Sequence, residues 1–292
     1  MTGEQLTFDA MPERLLRCTP TRLATYRCPR RYRLTYLDRP ALPSGGPWAA
    51  NTVGAAVHVA LARFWERPPR QRTPDTGAEL VRAAWQHDGF RDAEQSTTYR
   101  ARAAIWVHDY LTRAFEGGEF PGGTAPLRPD VAPVAVEKTM TAHTDALAVS
   151  GRLDRLDDRD GELVVVDYKT GGHEPDEADA SSSPALALYA VATASTLRRP
   201  CHTVELHHLP TGTVARAEHT DADLAAHVAR ADATGRAVLA ATEALAAGAD
   251  PDATFPTVTG PGCAVCDMRR HCPDGRRAAP AAASWSGLAA VG

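Results

Sequence analysis

The chain has 292 residues, 43% of them hydrophobic and 23% charged, which allows one substantial globular domain with an appended helical part. A net charge of −4 and a pI of about 6.3 argue against a nucleic-acid coat protein, so a nucleic-acid ligand would have to be met by local positive charge. No run of about 18 apolar residues occurs, and residues 1–12 lack the apolar stretch of a signal peptide. A cytoplasmic location away from membranes is therefore expected, where disulfides are uncommon. Six cysteines then read either as buried thiols or as a metal site.

In chain order, residues 14–39 read as a helix-rich opening, with Thr19 or Thr21 as N-cap. Residues 40–51, with three prolines and two glycines, read as a loop. Helices are expected over 52–66 and 78–116, broken around Pro68 and Pro69, followed by a Gly- and Pro-rich linker over 117–133. Three strands follow, at 131–141, 147–157 and 162–170, the last two joined as a hairpin through the polar residues 158–161. The continuous apolar run Leu163 to Val166 fits a strand buried on both faces. A helix over 184–197, a strand over 202–209 and one long or two shorter Ala-rich helices over 221–248 complete an α/β pattern around a small mixed sheet. Residues 276–292 carry no charge after Arg277 and are expected to form a poorly ordered tail. No internal repeat and no phosphate-binding Walker loop is present, so the chain encodes no ATP-driven motor of its own.

The most informative stretch is residues 151–171, GRLDRLDDRDGELVVVDYKTG. Asp154 falls on one expected strand; Asp167 and Lys169 fall on the next, two apart and so on one face. The hairpin can bring Asp154 beside Asp167. Two adjacent carboxylates repel unless a cation lies between them, and oxygen ligands of this kind suit Mg²⁺ or Mn²⁺. A lysine one pleat away can orient water or stabilise a developing phosphorane charge. D-x-K by itself is common and also fits an ion pair on an edge strand, but here it closes a buried strand, where charge needs a reason.

These residues resemble the nuclease motif of the RecB/AddB-like exonucleases within the PD-(D/E)XK superfamily. Gly54-Ala-Ala-Val-His58 resembles that family's helical G-x-x-x-H element, and Tyr26-Arg-Cys28-Pro-Arg-Arg-Tyr32 its opening Y-x-x-C-P-x-x-[FY] pattern. The resemblance runs from about residue 20 to residue 273. It implies a restriction-endonuclease-like PD-(D/E)XK core over 131–250, with an N-terminal helical region over 14–130 that carries Cys28 and His58, and a cysteine segment over 251–275. It also implies that His58, Asp154, Asp167 and the carbonyl of Tyr168 hold the metal, with Lys169 and Tyr189 as catalytic residues. Glu137 falls where many members carry an acidic residue, although a solvated strand-end charge explains it as well. One departure stands out. The family usually places a glutamine four residues before the helical tyrosine, and position 185 is alanine.

Cys263, Cys266 and Cys272 form a tight group in a segment with little apolar content, and Cys28 lies far upstream. Four thiolates can hold a [4Fe–4S] cluster or a structural zinc. The spacing leaves both open; the resemblance implies the iron–sulfur staple. Such a staple would close a very long loop and tie the helical opening to the end of the chain. Cys18 and Cys201 read as ordinary buried thiols. Arg27, Arg30, Arg31 and Arg33 flank Cys28, and Arg269 and Arg270 flank the later cysteines, a candidate phosphate-binding surface.

The expected function is a Mg²⁺- or Mn²⁺-dependent deoxyribonuclease, acting on single strands or duplex ends in repair or processing, with DNA and a separate helicase or repair protein as partners. The alternatives are a catalytically weak nuclease fold that binds DNA or docks a partner, and a zinc-stapled protein without nuclease function.

Overall fold

The computed structural model of the protein describes residues 15–116 and 127–290. The opening stretch and residues 117–126 of the expected linker lie outside them. The described chain runs β1 (Leu16–Cys18), α1 (Pro20–Thr25), α2 (Pro29–Tyr36), α3 (Ala49–Trp65), α4 (Pro74–Ala84), α5 (Ala93–Phe115), β2 (Ala135–His143), β3 (Leu147–Arg159) and β4 (Glu162–Lys169). It continues through α6 (Glu177–Ser182), α7 (Pro184–Leu197), β5 (Thr203–His208), β6 (Thr213–Glu218), α8 (Asp221–Ala246), α9 (Pro251–Thr254) and α10 (Pro273–Ala278). No described helix is long and apolar enough to cross a membrane.

Helix starts follow local chemistry. Thr19 caps α1 by accepting from the Arg22 amide, Asp92 caps α5, and Thr220 and Asp223 form a reciprocal capping box at α8. The Ala-rich stretch after that box is a single helix.

The six strands form one mixed sheet in the order β1-β3-β4-β5-β6, with β2 on β3. Two strands, β1 and β6, escaped sequence reasoning: the first is three residues long, too short for a period to show, and the second pairs antiparallel with β5. The β3–β4 hairpin turns through Asp160 and Gly161, both with positive φ, 53° and 95°. This is the geometry that matches the twist of a two-residue hairpin, and it favours the Asp-Gly pair. Val164 and Val166 of β4 point into a core with α3, α4 and α5, while Leu163 and Val165 point into a second core with α6 and α7. The apolar run is therefore buried on both sides, as expected, each such side chain contributing about 1.5–3 kcal/mol.

At its middle the sheet departs from regular pleating. Leu153 and Leu156, three apart on β3, join the same core, as do Ala135 and Met140 on β2. Strict alternation cannot place either pair on one face. Glu137 takes a left-handed φ of 47°, and both ladders skip the level of Asp154. On the edge that β3 shares with β1 and β4, β1 pairs with residues 147–149 and β4 with 155–159, so residues 150–154 have no strand beside them. The sheet opens at this gap.

The C-terminal stretch corrects the expectation of a loose tail. Ala289 is buried, Leu288 bridges to Gly171, and Tyr99 Oη donates to the Ala289 carbonyl at 2.6 Å. Ala49 N–H donates to Ser284 O at 2.9 Å, and Gly172 N–H to Gly287 O at 3.1 Å. Small uncharged side chains let this segment lie close against α3 and the chain after β4. Backbone hydrogen bonds of this kind leave no sign in composition.

Candidate metal centre

The opening in the sheet faces α3, and the walls converge on a cleft of about 880 Å³ lined by Glu66, Glu137 and Asp154 and by Arg63, Arg152 and Lys169. His58 projects from α3 between two predicted partners: Nδ1 lies 3.1 Å from Asp154 Oδ1, and Nε2 lies 3.2 Å from the Tyr168 carbonyl. The other oxygen of Asp154 accepts the Tyr168 N–H at 2.8 Å, in place of a ladder bond. Among the described residues, His58, Glu137 and Asp154 form the one group of three potential metal ligands with donor atoms all within 4.8 Å of one another. Glu137, weighed against a solvated strand end in the sequence, is drawn in by the left-handed turn of β2 at that residue. Asp167 lies outside this closest group and pairs with Lys169, which lines the cleft.

The electrostatics are those of crowded anions. Burial raises the Asp167 pKa, Lys169 opposes this and Asp154 adds to it. Glu137 is likewise raised by burial, against the pull of Arg152, which pairs with it at 2.8 Å. Burial works against charging His58, yet the hydrogen bond to Asp154 and the fields of Asp154, Asp167 and Glu137 together raise its pKa above the usual 6.5. A divalent cation would relieve this repulsion. The donors, several carboxylates, a backbone carbonyl and one imidazole, fit Mg²⁺ or Mn²⁺.

Tyr189 stands at the other side of the gap. A Cβ on Gly151 would collide with its ring, so glycine at 151 admits the tyrosine. Its hydroxyl is pushed up to about 12, first by burial and then by Asp167 and Asp154, and so stays protonated as a donor. Ala185 lies one turn earlier, half-buried, and is not among the residues lining the metal-site cleft.

Tyr168 is anchored from below. Arg155, fully buried, donates to Tyr168 Oη and Tyr110 Oη, both at 2.8 Å, and pairs with Asp157 at 2.9 Å. Asp157 and Glu205 share Arg159, and Glu205 accepts from His207, whose Nδ1 returns to Tyr110 Oη at 2.9 Å. This closed ring ties β3, β4, β5 and α5 beneath the carbonyl next to His58. No motif announced it, because its members are spread from residue 110 to residue 207.

The profile of the PD-(D/E)XK nuclease superfamily matches residues 17–273. The chain belongs to the PD-(D/E)XK nuclease superfamily. A search of curated proteins gave no match. The mixed sheet flanked by helices agrees with the PD-(D/E)XK fold.

The four cysteines come from both ends of this nuclease-superfamily chain and are free of disulfides. Cys28 and Cys272 are each followed by proline and each occupies an N-cap, with φ, ψ of −124°, 100° and −118°, 100°. Cys266 packs with Cys272, Leu34 and Met268. A Cβ on Gly275 would lie 3.4 Å from Cys272 Sγ and 3.7 Å from Cys263 Sγ, so glycine leaves those two sulfurs uncrowded. Four thiols are the donor type that a soft metal takes; among the described residues no three of these sulfurs lie within 4.8 Å of one another.

The arginines correct the expected phosphate surface. Arg30 and Arg33 are buried and both pair with Asp252. Arg31 pairs with Asp267 at 2.8 Å, and Arg269 and Arg270 donate to backbone carbonyls of Ala279 and Ser44. Arg30, Arg31, Arg33 and Arg270 thus bind the ends of the chain together, and Arg269 braces the C-terminal segment. Arg27 alone of the six is left exposed without a partner among the described residues. Sequence reasoning missed Arg63 and Arg152 on the cleft rim; two-residue strand spacing from Asp154 was a signal for Arg152, whereas Arg63, five residues after His58, had none.

Proposed function

We propose that this chain is a Mg²⁺- or Mn²⁺-dependent deoxyribonuclease that acts on single strands or duplex ends in DNA repair or processing. The observation that carries the reading is the meeting of His58, Glu137 and Asp154 within 4.8 Å, beside the Tyr168 carbonyl and the Asp167–Lys169 pair. These residues, with Asp167, would hold the metal. When bound, the ion supplies Lewis-acid polarisation of the phosphate and a more acidic water. Lys169 offers its ammonium to the phosphate oxygen on which charge develops, with Asp167 holding it in place. Tyr189 remains a hydrogen-bond donor at the open edge. Arg152 restrains Glu137, and the ring of buried ion pairs holds Tyr168 and hence its carbonyl.

A [4Fe–4S] cluster on Cys28, Cys263, Cys266 and Cys272 is part of the proposal, with zinc as the alternative occupant. A separate helicase or repair protein would supply the unwound strand, since the chain has no phosphate loop of its own. Alanine at 185 favours a second reading, a catalytically weak fold that binds DNA or docks a partner. One assay separates them: labelled single- and double-stranded DNA with Mg²⁺, Mn²⁺ or EDTA. Metal-dependent cleavage abolished by Asp154→Asn supports the nuclease. Binding without cleavage under every metal supports the second reading.

A further inference from the structure

A second depression, of about 470 Å³, lies between α1, α7 and α8. Its floor is apolar, with Leu23, Leu188 and Ala231 buried there. Ala185 opens onto it from the first turn of α7. Arg27 and Arg230 stand exposed at its rim, and the buried His227 also lines it. No aspartate or glutamate is among the lining residues. Among the described residues neither Arg27 nor Arg230 has an ion-pair or hydrogen-bond partner for its guanidinium. The neighbouring Arg30, Arg31 and Arg33, by contrast, all face carboxylates. Unneutralised positive charge in this region is thus concentrated around an apolar floor.

The groove shares no lining residue with the metal-site cleft but comes near it at Gly151. Pro20 lines it and also lies 3.3 Å from where a Cβ on Gly151 would stand, three residues before Asp154. Tyr189, one turn after Ala185, packs on that same glycine.

We propose that the groove seats an unpaired nucleotide next to the one being cleaved. Arg27 and Arg230 take flanking backbone phosphates, and the base lies on the floor beside Ala185. The inference rests on the nuclease reading and narrows its substrate to single-stranded nucleic acid. A paired base is stacked inside a duplex and cannot enter, whereas an unpaired one gains apolar contact worth having in a sequence-tolerant site. The small residue at 185 keeps that floor open; the glutamine usual in related sequences would occupy part of it.

The test measures anisotropy of a fluorescent oligothymidylate and of a blunt duplex in EDTA, over a range of salt. The variants are Ala185→Trp, which fills the floor, and the double change Arg27→Gln with Arg230→Gln, at exposed positions where folding is retained. Arg100→Gln, on the exposed face of α5, is the control for bulk charge. The expected result is at least a tenfold loss of single-strand affinity for both variants and none for the control. The double variant should also flatten the slope of log affinity against log salt by about 1.4, two phosphates at about 0.7 each. Single-strand affinity within twofold of the parent for the double variant, or an equal loss for duplex and single strand, would overturn the proposal. Hydrolysis of bis(p-nitrophenyl) phosphate by the parent with Mn²⁺ reads the metal site separately. Its absence would remove the nuclease reading, while the binding data still decide the groove.

Discussion

Glu137 holds a φ of 47°, a conformation that costs a non-glycine residue about 1–2 kcal/mol. Strain of this kind persists where the surroundings demand it, commonly at functional sites. Here the demand is visible: the turn brings the carboxylate 3.9 Å from His58 and into an ion pair with Arg152. Glu137→Gly releases the strain and removes the carboxylate. Stability should stay within about 1 kcal/mol of the parent, because the flexibility of glycine offsets the relief. Mn²⁺-dependent cleavage should fall by about 10–100-fold, the usual effect of weakening a metal site. Unchanged cleavage would show that Glu137 is only a strand-end charge. Lys169→Ala is expected to be more severe, roughly a thousandfold in rate, since it removes charge stabilisation from the transition state while the ligands remain. Retention of the parent rate by that variant would remove Lys169 from the mechanism.

At the scale of elements, the β3–β4 hairpin decides which carboxylates meet. Its pairing of Arg155 with Val166 puts Asp154 level with Asp167. A one-residue slip would turn Asp167 and Lys169 to the other face. The two-residue turn at Asp160 and Gly161 opposes such a slip, helped by the Gly161 N–H donating to Asp158 at 2.9 Å. Gly161→Ala places a Cβ at a φ of 95° and should cost about 1–2 kcal/mol in urea unfolding. Cleavage per folded molecule should be kept, because the buried faces of β4 also hold the register. A stability loss of that size accompanied by inactive folded protein would mean that the turn, and not the apolar faces, sets the register.

For the whole molecule, two structures outside the set of candidate ligands hold the cleft in shape. The first is the buried ring through Arg155, Asp157, Arg159, Glu205, His207 and Tyr110. Removing one member leaves uncompensated charge in the interior, so Arg155→Met should destabilise by about 3–5 kcal/mol, read as a lower denaturation midpoint. A loss under about 1 kcal/mol would show that water replaces the arginine at little cost. The second is the junction of the chain ends, where α2 meets the late cysteine segment through Arg31–Asp267 and the packing of Leu34 on Met268 and Cys272. Protein purified without oxygen should be brown and contain iron and sulfide, and Cys28→Ser should lose the colour and melt at lower temperature. A colourless protein with stoichiometric zinc would replace the cluster by zinc.

The sequence by itself determined the order of most elements, the hairpin, the Asp154, Asp167 and Lys169 positions and the helix of His58. These follow from local physics: apolar periodicity, turn chemistry and a two-residue spacing on a strand. It did not show β1 or β6, because three residues carry no period and a weakly apolar edge strand little more. Only the tertiary structure decided what distant residues do to one another. It buried Arg30 and Arg33 against Asp252, 222 and 219 residues away along the chain. It drew Glu137 toward His58 by a single unfavourable backbone angle, folded an uncharged tail against α3, and placed Ala185 in a groove beside two unpaired arginines. Charge and burial are properties of neighbourhoods in space, and a linear sequence records a neighbourhood only where the chain stays local.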